Sequence, residues 1–146
     1  MRLVVDTSVL VGELLWVKGR ERLADDRLEL FMPEQMWGEA QAELPRRIRA
    51  FVRRRKLDSD LADELSTLCL EAVESNVVIL EEAIYAALED EAVARSLRDP
   101  GDWPVVACAV ALSAAVWTND SDFLGTGVPT WTTKTLQRWL ERVGQE

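Results

Sequence analysis

The chain contains no histidine. That absence removes imidazole as ligand, general base or nucleophile partner, and with it the Ser-His-Asp and Cys-His machineries. Only two cysteines occur, Cys69 and Cys108. Both sit inside apolar helical patterns, where a free thiol behaves as a small hydrophobe, so neither a disulfide framework nor a thiolate cluster is expected. No apolar run approaches the length that crosses a bilayer, and the opening MRLVVD lacks the basic region, apolar stretch and cleavage site of a secretory signal. A cytoplasmic location without membrane attachment is expected. Basic charge is also short: 17 Lys and Arg against 26 Asp and Glu give a net charge of −9, which disfavours nucleic acid if spread evenly. It is not spread evenly.

What remains for acid–base or metal chemistry is Asp, Glu, Lys, Tyr and Cys. At 146 residues, 48% hydrophobic and 29% charged, the chain has the size and composition of one globular domain spanning 1–146. Six tryptophans argue for a substantial packed interior or an interface. LVV at 3–5 reads as a short strand ending at Asp6, and TSVLVGELLWV continues at helical spacing. Residues 18–27 read as a charged loop, Leu28 to Met32 as a strand, and Pro33 as the start of a helix that runs past Ala42. From Arg46 to Lys56, RRIRAFVRRRK holds seven basic residues in eleven. Asp58 or Ser59 is placed to cap a following helix with Leu61, Leu65, Leu68, Cys69 and Val73 on one face. VVIL at 77–80 reads as a buried strand, EEAIYAALEDEAVARSL as one helix, and DPGD at 99–102 as a loop leading into a helix through VVACAVALSA. AAVWT, a TNDSDF corner, a short VPTW strand and a helix from about Thr132 complete the chain. Strands alternating with helices predict an α/β class, a three-layer α/β/α sandwich around a short, mostly parallel sheet.

In open parallel sheets, ligands bind beyond the carboxyl ends of the strands. Asp6 and Asp120 both follow hydrophobic strands, Asp102 opens the helix that leads into AAVWT, and Glu39 and Glu43 stand one turn apart on one helix face. Each has a simpler reading: Asp6 and Asp102 as helix N-caps, Asp120 as an Asx turn, the glutamates as solvated surface. Together they predict four or more carboxylates converging on one cleft. Such groups repel unless a cation neutralises them. An all-oxygen site points to Mg²⁺, with Mn²⁺ as a substitute, and such an ion attracts a phosphodiester and activates water for in-line attack.

Four segments, LVVDTSVL at 3–10, PEQMWGEAQAEL at 33–44, DPGDWPVVACAVAL at 99–112 and VWTNDSDF at 116–123, together resemble the PIN-domain ribonucleases, and most of all the VapC-type toxins of toxin–antitoxin pairs. The resemblance implies a central parallel sheet and an acidic site holding Mg²⁺ or Mn²⁺ for RNA cleavage. Carried over by motif, Asp6, Glu39, Asp102 and Asp120 are the catalytic and metal-binding acids. Asp122 is an auxiliary acid, and Ser8 is similar to the family's small hydroxyl residue. Glu39 is preferred to Glu43, and Asp102 to Asp99, by their place in the motifs. An RNA substrate, a small antitoxin and a homodimer are the implied partners. Arg46, Arg49 and Arg53, along one side of a helix if 46–56 is helical, are candidates for RNA or partner contact. The rival readings are a PIN-like interaction module without catalysis and a metal-dependent phosphohydrolase acting on another ester.

Overall fold

The computed structural model describes residues 1–145; Glu146 lies outside the described residues. Five strands, β1 (Arg2–Val5), β2 (Glu29–Pro33), β3 (Val77–Leu80), β4 (Ala115–Trp117) and β5 (Thr130–Trp131), form one sheet in the order β3-β2-β1-β4-β5. Every neighbouring pair is parallel, so the sheet is wholly parallel where the sequence predicts a mostly parallel one. Helices α1 (Thr7–Leu14), α2 (Val17–Leu23), α3 (Glu34–Arg54) and α4 (Leu61–Asn76) make the first two crossovers. The chain then returns across the sheet through α5 (Glu82–Tyr85), α6 (Glu89–Arg95) and α7 (Trp103–Leu112), and α8 (Thr133–Val143) closes it. Because the crossovers run outward from β1 to β3 and then back to β4, the topology switches direction between β1 and β4. That is where a crevice opens at the carboxyl edge.

The core explains the arrangement. Leu3, Val4 and Val5 of β1 are fully buried, as are Val105, Val106, Ala107 and Cys108 of α7, which packs across β1, β2 and β4. A helix apolar on nearly every side belongs inside, and α7 is covered in turn by α5 and α6. Both cysteines are buried and free, and burial pushes their thiols up to about 11 for Cys69 and about 12 for Cys108, which leaves them inert as nucleophiles.

Several expectations need correction. Residues 18–27 are not simply a loop: Val17–Leu23 is α2, held by Leu23 in the core and by the Arg22 to Glu13 ion pair. Gly19 makes this possible, since a Cβ there would collide with the Glu13 carbonyl of α1. The single helix predicted over 81–97 is broken into α5, a 3₁₀ turn over Ala86–Leu88 and α6. β3 is an edge strand with Val78 exposed rather than a buried one. On α4, Cys69 and Val73 are buried but Leu61 and Leu68 face solvent. Asp60 stands at the N-cap of α4 without a side-chain capping bond, while Asp58 Oδ1 accepts from the Asp60 amide. The basic run is helical, and α3 continues through Pro45 to Arg54.

Candidate active site

The register of the sheet builds the site. Val5 pairs with Trp117 across β1 and β4, so Asp6 and Thr118 emerge side by side at the carboxyl edge, and the Asp6 amide donates to the Trp117 carbonyl at 3.0 Å. Thr118, buried to 2% exposure, donates its hydroxyl to Asp6 Oδ2 at 2.9 Å. The Ser8 hydroxyl donates to the same oxygen at 3.3 Å, which leaves Asp6 Oδ1 without a side-chain hydrogen bond. Asp6 occupies the N-cap position of α1, yet its side chain makes no capping bond. The cap reading therefore does not account for it.

Asp102 stands at the N-cap of α7 and also makes no side-chain capping bond. The turn before it is held by Asp99, whose Oδ1 accepts from the Gly101 amide at 3.0 Å. On the β4 side, Asp120 does form the Asx turn the sequence suggests, its Oδ1 accepting from the Asp122 amide at 2.9 Å. These turns bring Asp99, Asp102 and Asp122 together, with one carboxylate oxygen of each within 4.8 Å of the others. The tightest trio thus contains Asp102 and two acids the motifs rank as auxiliary. Arg98 ties the two loops, donating from Nη1 to the Ser121 carbonyl at 3.2 Å.

Electrostatics show how far the gathering extends. Burial, and then the charges of Asp99, Asp6, Asp120 and Asp122, push the Asp102 carboxyl up to about 7. Asp102 is therefore the centre of five acids from three segments. Asp6 is also raised, first by burial and in smaller part by Asp120, with the Thr118 and Ser8 hydroxyls acting against the rise. Glu39 and Glu43 are outside the trio of Asp99, Asp102 and Asp122. Glu39 is exposed on α3, and its charge is not among those acting on Asp102; Glu43 pairs with Arg47 at 3.2 Å.

The donor set fits a hard divalent cation: carboxylate oxygens only, at separations that leave them in mutual repulsion until a positive charge enters. The Thr7 hydroxyl, between Asp6 and Ser8, is buried with no hydrogen-bond partner, a further oxygen beside the site in sequence.

Reasoning from sequence missed Thr118, Thr7 and Arg98. Thr118 had a readable signal, because it follows the β4 strand as Asp6 follows β1. Nothing in the sequence pattern marks Arg98 or the orphaned Thr7 hydroxyl.

Two concavities lie away from the acids. One of about 540 Å³ is lined by charged residues of α2, the turn after it and α8, including Lys18, Arg22, Arg27 and Glu141. Its two arginines are engaged internally, Arg22 with Glu13 and Gln137, Arg27 with Asp25 and the Leu140 carbonyl. The other, about 260 Å³, is an apolar groove between the α1–α2 junction, the end of α3, and α4.

The molecule is thus a parallel α/β/α sandwich with five acids at its topological switch point. The model of the PIN domain matches residues 4–141, and the chain belongs to that family. The crystal structure of PAE2754 from Pyrobaculum aerophilum is similar, with a TM-score of 0.59 at 19% identity over 100% of this chain and 91% of that one. At that identity the likeness is one of fold. No curated protein matches the chain.

Proposed function

We propose that this PIN domain is a divalent-metal-dependent endoribonuclease of the VapC kind, hydrolysing RNA phosphodiester bonds as the toxin of a toxin–antitoxin pair. The observation that carries the reading is the state of Asp102, a half-buried carboxyl ringed by four others and raised to about 7. A fold has no structural need for that arrangement, and two of the acids make no capping bond. Asp6, Asp99, Asp102, Asp120 and Asp122 would hold Mg²⁺ or Mn²⁺, and the ion would neutralise them, draw in a phosphate oxygen and lower the pKa of water.

The chain's own residues do the rest. Asp6 and Asp120 are each fixed through one oxygen, so the second oxygen of each is presented in a set direction. Asp102 gives up its proton as positive charge enters, which couples cation binding to pH. Arg98 offers guanidinium N–H groups beside the acids, where an RNA phosphate can take them. Glu39, exposed on the second turn of α3, belongs to the outer rim of the cleft.

The partner half of the reading rests on the other end of the molecule. α3 leaves the carboxyl edge at Glu34 and reaches Arg54 after 21 residues, roughly 30 Å away. Arg53, Arg54 and Arg55 are therefore remote from a scissile phosphate. Arg55 lies 4.0 Å over the Trp16 ring, beside the apolar groove whose exposed members include Trp16, Leu57, Leu61 and Leu68. An apolar floor with an arginine rim suits an acidic amphipathic segment of an antitoxin better than RNA, and a second copy of the chain is the other candidate.

The test is incubation of the purified chain with total RNA and with single-stranded DNA, in Mg²⁺ or Mn²⁺ and with chelator. Metal-dependent RNA cleavage that Asp102→Asn abolishes supports the reading. Intact RNA under every metal condition overturns it in favour of an interaction module, and cleavage of DNA or a small phosphate ester alone favours another phosphohydrolase.

A further inference from the structure

Among the described residues, Thr118 is the one whose side chain bonds both strand-end acids. Its backbone is pinned from both sides, since its amide donates to the Trp131 carbonyl at 2.9 Å and the preceding residue pairs with Val5. Its side chain is 2% exposed. A hydroxyl has one proton to give and lone pairs to accept with. Here the proton goes to Asp6 Oδ2 at 2.9 Å, and the oxygen accepts the Asp120 amide at 3.0 Å. Asp120 passes the linkage on, its Oδ1 accepting the Asp122 amide at 2.9 Å. One buried hydroxyl thus begins a chain of hydrogen bonds that orients Asp6, the Asp120 turn and, through it, Asp122.

We propose that Thr118 is a positioning residue that sets the carboxylates of Asp6 and Asp120 in one fixed relation before any cation or substrate arrives. A β-branched side chain suits the task, because its χ1 is stiff and the side chain itself is buried. Asn119 is tied away from the acids, its side chain bonding the Thr133 amide and hydroxyl at 2.9 and 3.2 Å, so it cannot stand in. Ser8 reaches only Asp6, at 3.3 Å, and does nothing for Asp120.

The inference rests on the metal-site reading for its consequence but not for its geometry, and two measurements separate the two. The first is amide hydrogen exchange of the metal-free protein. Thr118→Ser should leave the Asp120 amide protected, whereas Thr118→Val, which keeps the shape and removes the hydroxyl, should lose that protection. The second is Mn²⁺ titration of the same proteins: Thr118→Val should bind about 10- to 100-fold more weakly than wild type, the usual cost of removing a group that orients a ligand, and Thr118→Ser should recover most of it. Unchanged Asp120 exchange in Thr118→Val overturns the inference, as does wild-type Mn²⁺ affinity in that variant. Absence of Mn²⁺ binding by the wild type would instead count against the proposed function, and the exchange result would still decide the role of Thr118. If Thr118→Val fails to fold, Thr118→Ala and Thr118→Ser are compared in the same two measurements.

Discussion

Asp102 and Asp122 bring carboxylate oxygens within 4.8 Å of each other, although one opens α7 and the other lies in the turn after β4. Neither is neutralised by an ion pair, since the five ion pairs among the described residues all lie elsewhere. The fold therefore maintains a repulsion that local sequence does not require. Relief of that repulsion is what the site offers to a cation, and the same repulsion should be visible in stability before any cation is added.

The pH dependence has a definite sign. The Asp102 carboxyl lies at about 7 in the folded chain against its ordinary 3.8. Between those values the folded state holds a proton that the unfolded chain has released, so the contribution to stability falls as pH rises from about 4 to 7. Asp6, also raised, acts in the same direction. At pH 8 without metal, Asp102→Asn should therefore be more stable than wild type, by about 1–2 kcal/mol after discounting for partial exposure. At pH 4 the two should converge. Thermal unfolding in chelator at both pH values measures this, and a destabilised Asp102→Asn at pH 8 would contradict it.

Cation binding should be coupled to the same proton. Mn²⁺ affinity is expected to tighten as pH rises toward and through 7, with proton release on binding seen by calorimetry in buffers of different ionisation enthalpy. The acids should rank by place in the cluster: Asp102→Asn loses at least about tenfold in affinity, while Glu39→Gln stays within about threefold. Equal losses in the two would show that α3 closes on the ion, and the outer-rim placement of Glu39 would be wrong.

The unequal legibility of the acids has a physical basis. Asp6 and Asp120 were readable because an acid after a β-branched run marks a strand end, and parallel strands share one carboxyl edge. The approach of Asp99 and Asp122 to Asp102 was not readable in that way. It depends on how two short turns fold toward each other, with Asp99 capping one and Asp120 the other, and on the Arg98 bond between them. Likewise α2 was missed because its stability comes from a glycine contact and an ion pair with α1 rather than from an apolar stripe. The predicted helix over 81–97 failed for the opposite reason: alanine-rich composition is permissive, and tertiary contacts broke it into shorter pieces.

Support for the acid edge should also fail predictably. Trp117, fully buried in β4, donates from Nε1 to the Thr133 hydroxyl at 3.0 Å, which joins the strand to the start of α8. Trp117→Phe removes ring volume and that bond together, and should cost about 2–4 kcal/mol in denaturant unfolding. Because Thr118 follows directly, loss of Mn²⁺ affinity is expected to accompany the loss of stability. A variant destabilised with its affinity intact would show that the strand end is held independently of Trp117.

The groove separates a protein partner from RNA most sharply. Trp16 and Phe51 pack edge to face at 5.2 Å with Arg55 over the Trp16 ring, an aromatic anchor flanked by cations in a chain of net charge −9. If an acidic amphipathic segment seats here, Trp16→Ala should weaken the complex with a small protein encoded beside this chain by about 2 kcal/mol, as a central aromatic usually does. Arg54→Ala and Arg55→Ala should mainly slow association and flatten its salt dependence. Neither change touches the acids, so Mn²⁺ affinity and RNA cleavage by the free chain should be unaltered. If these variants instead lose RNA cleavage while partner binding persists, the basic end of α3 belongs to the substrate path, and an RNA strand must span roughly 30 Å from the arginines to the acids.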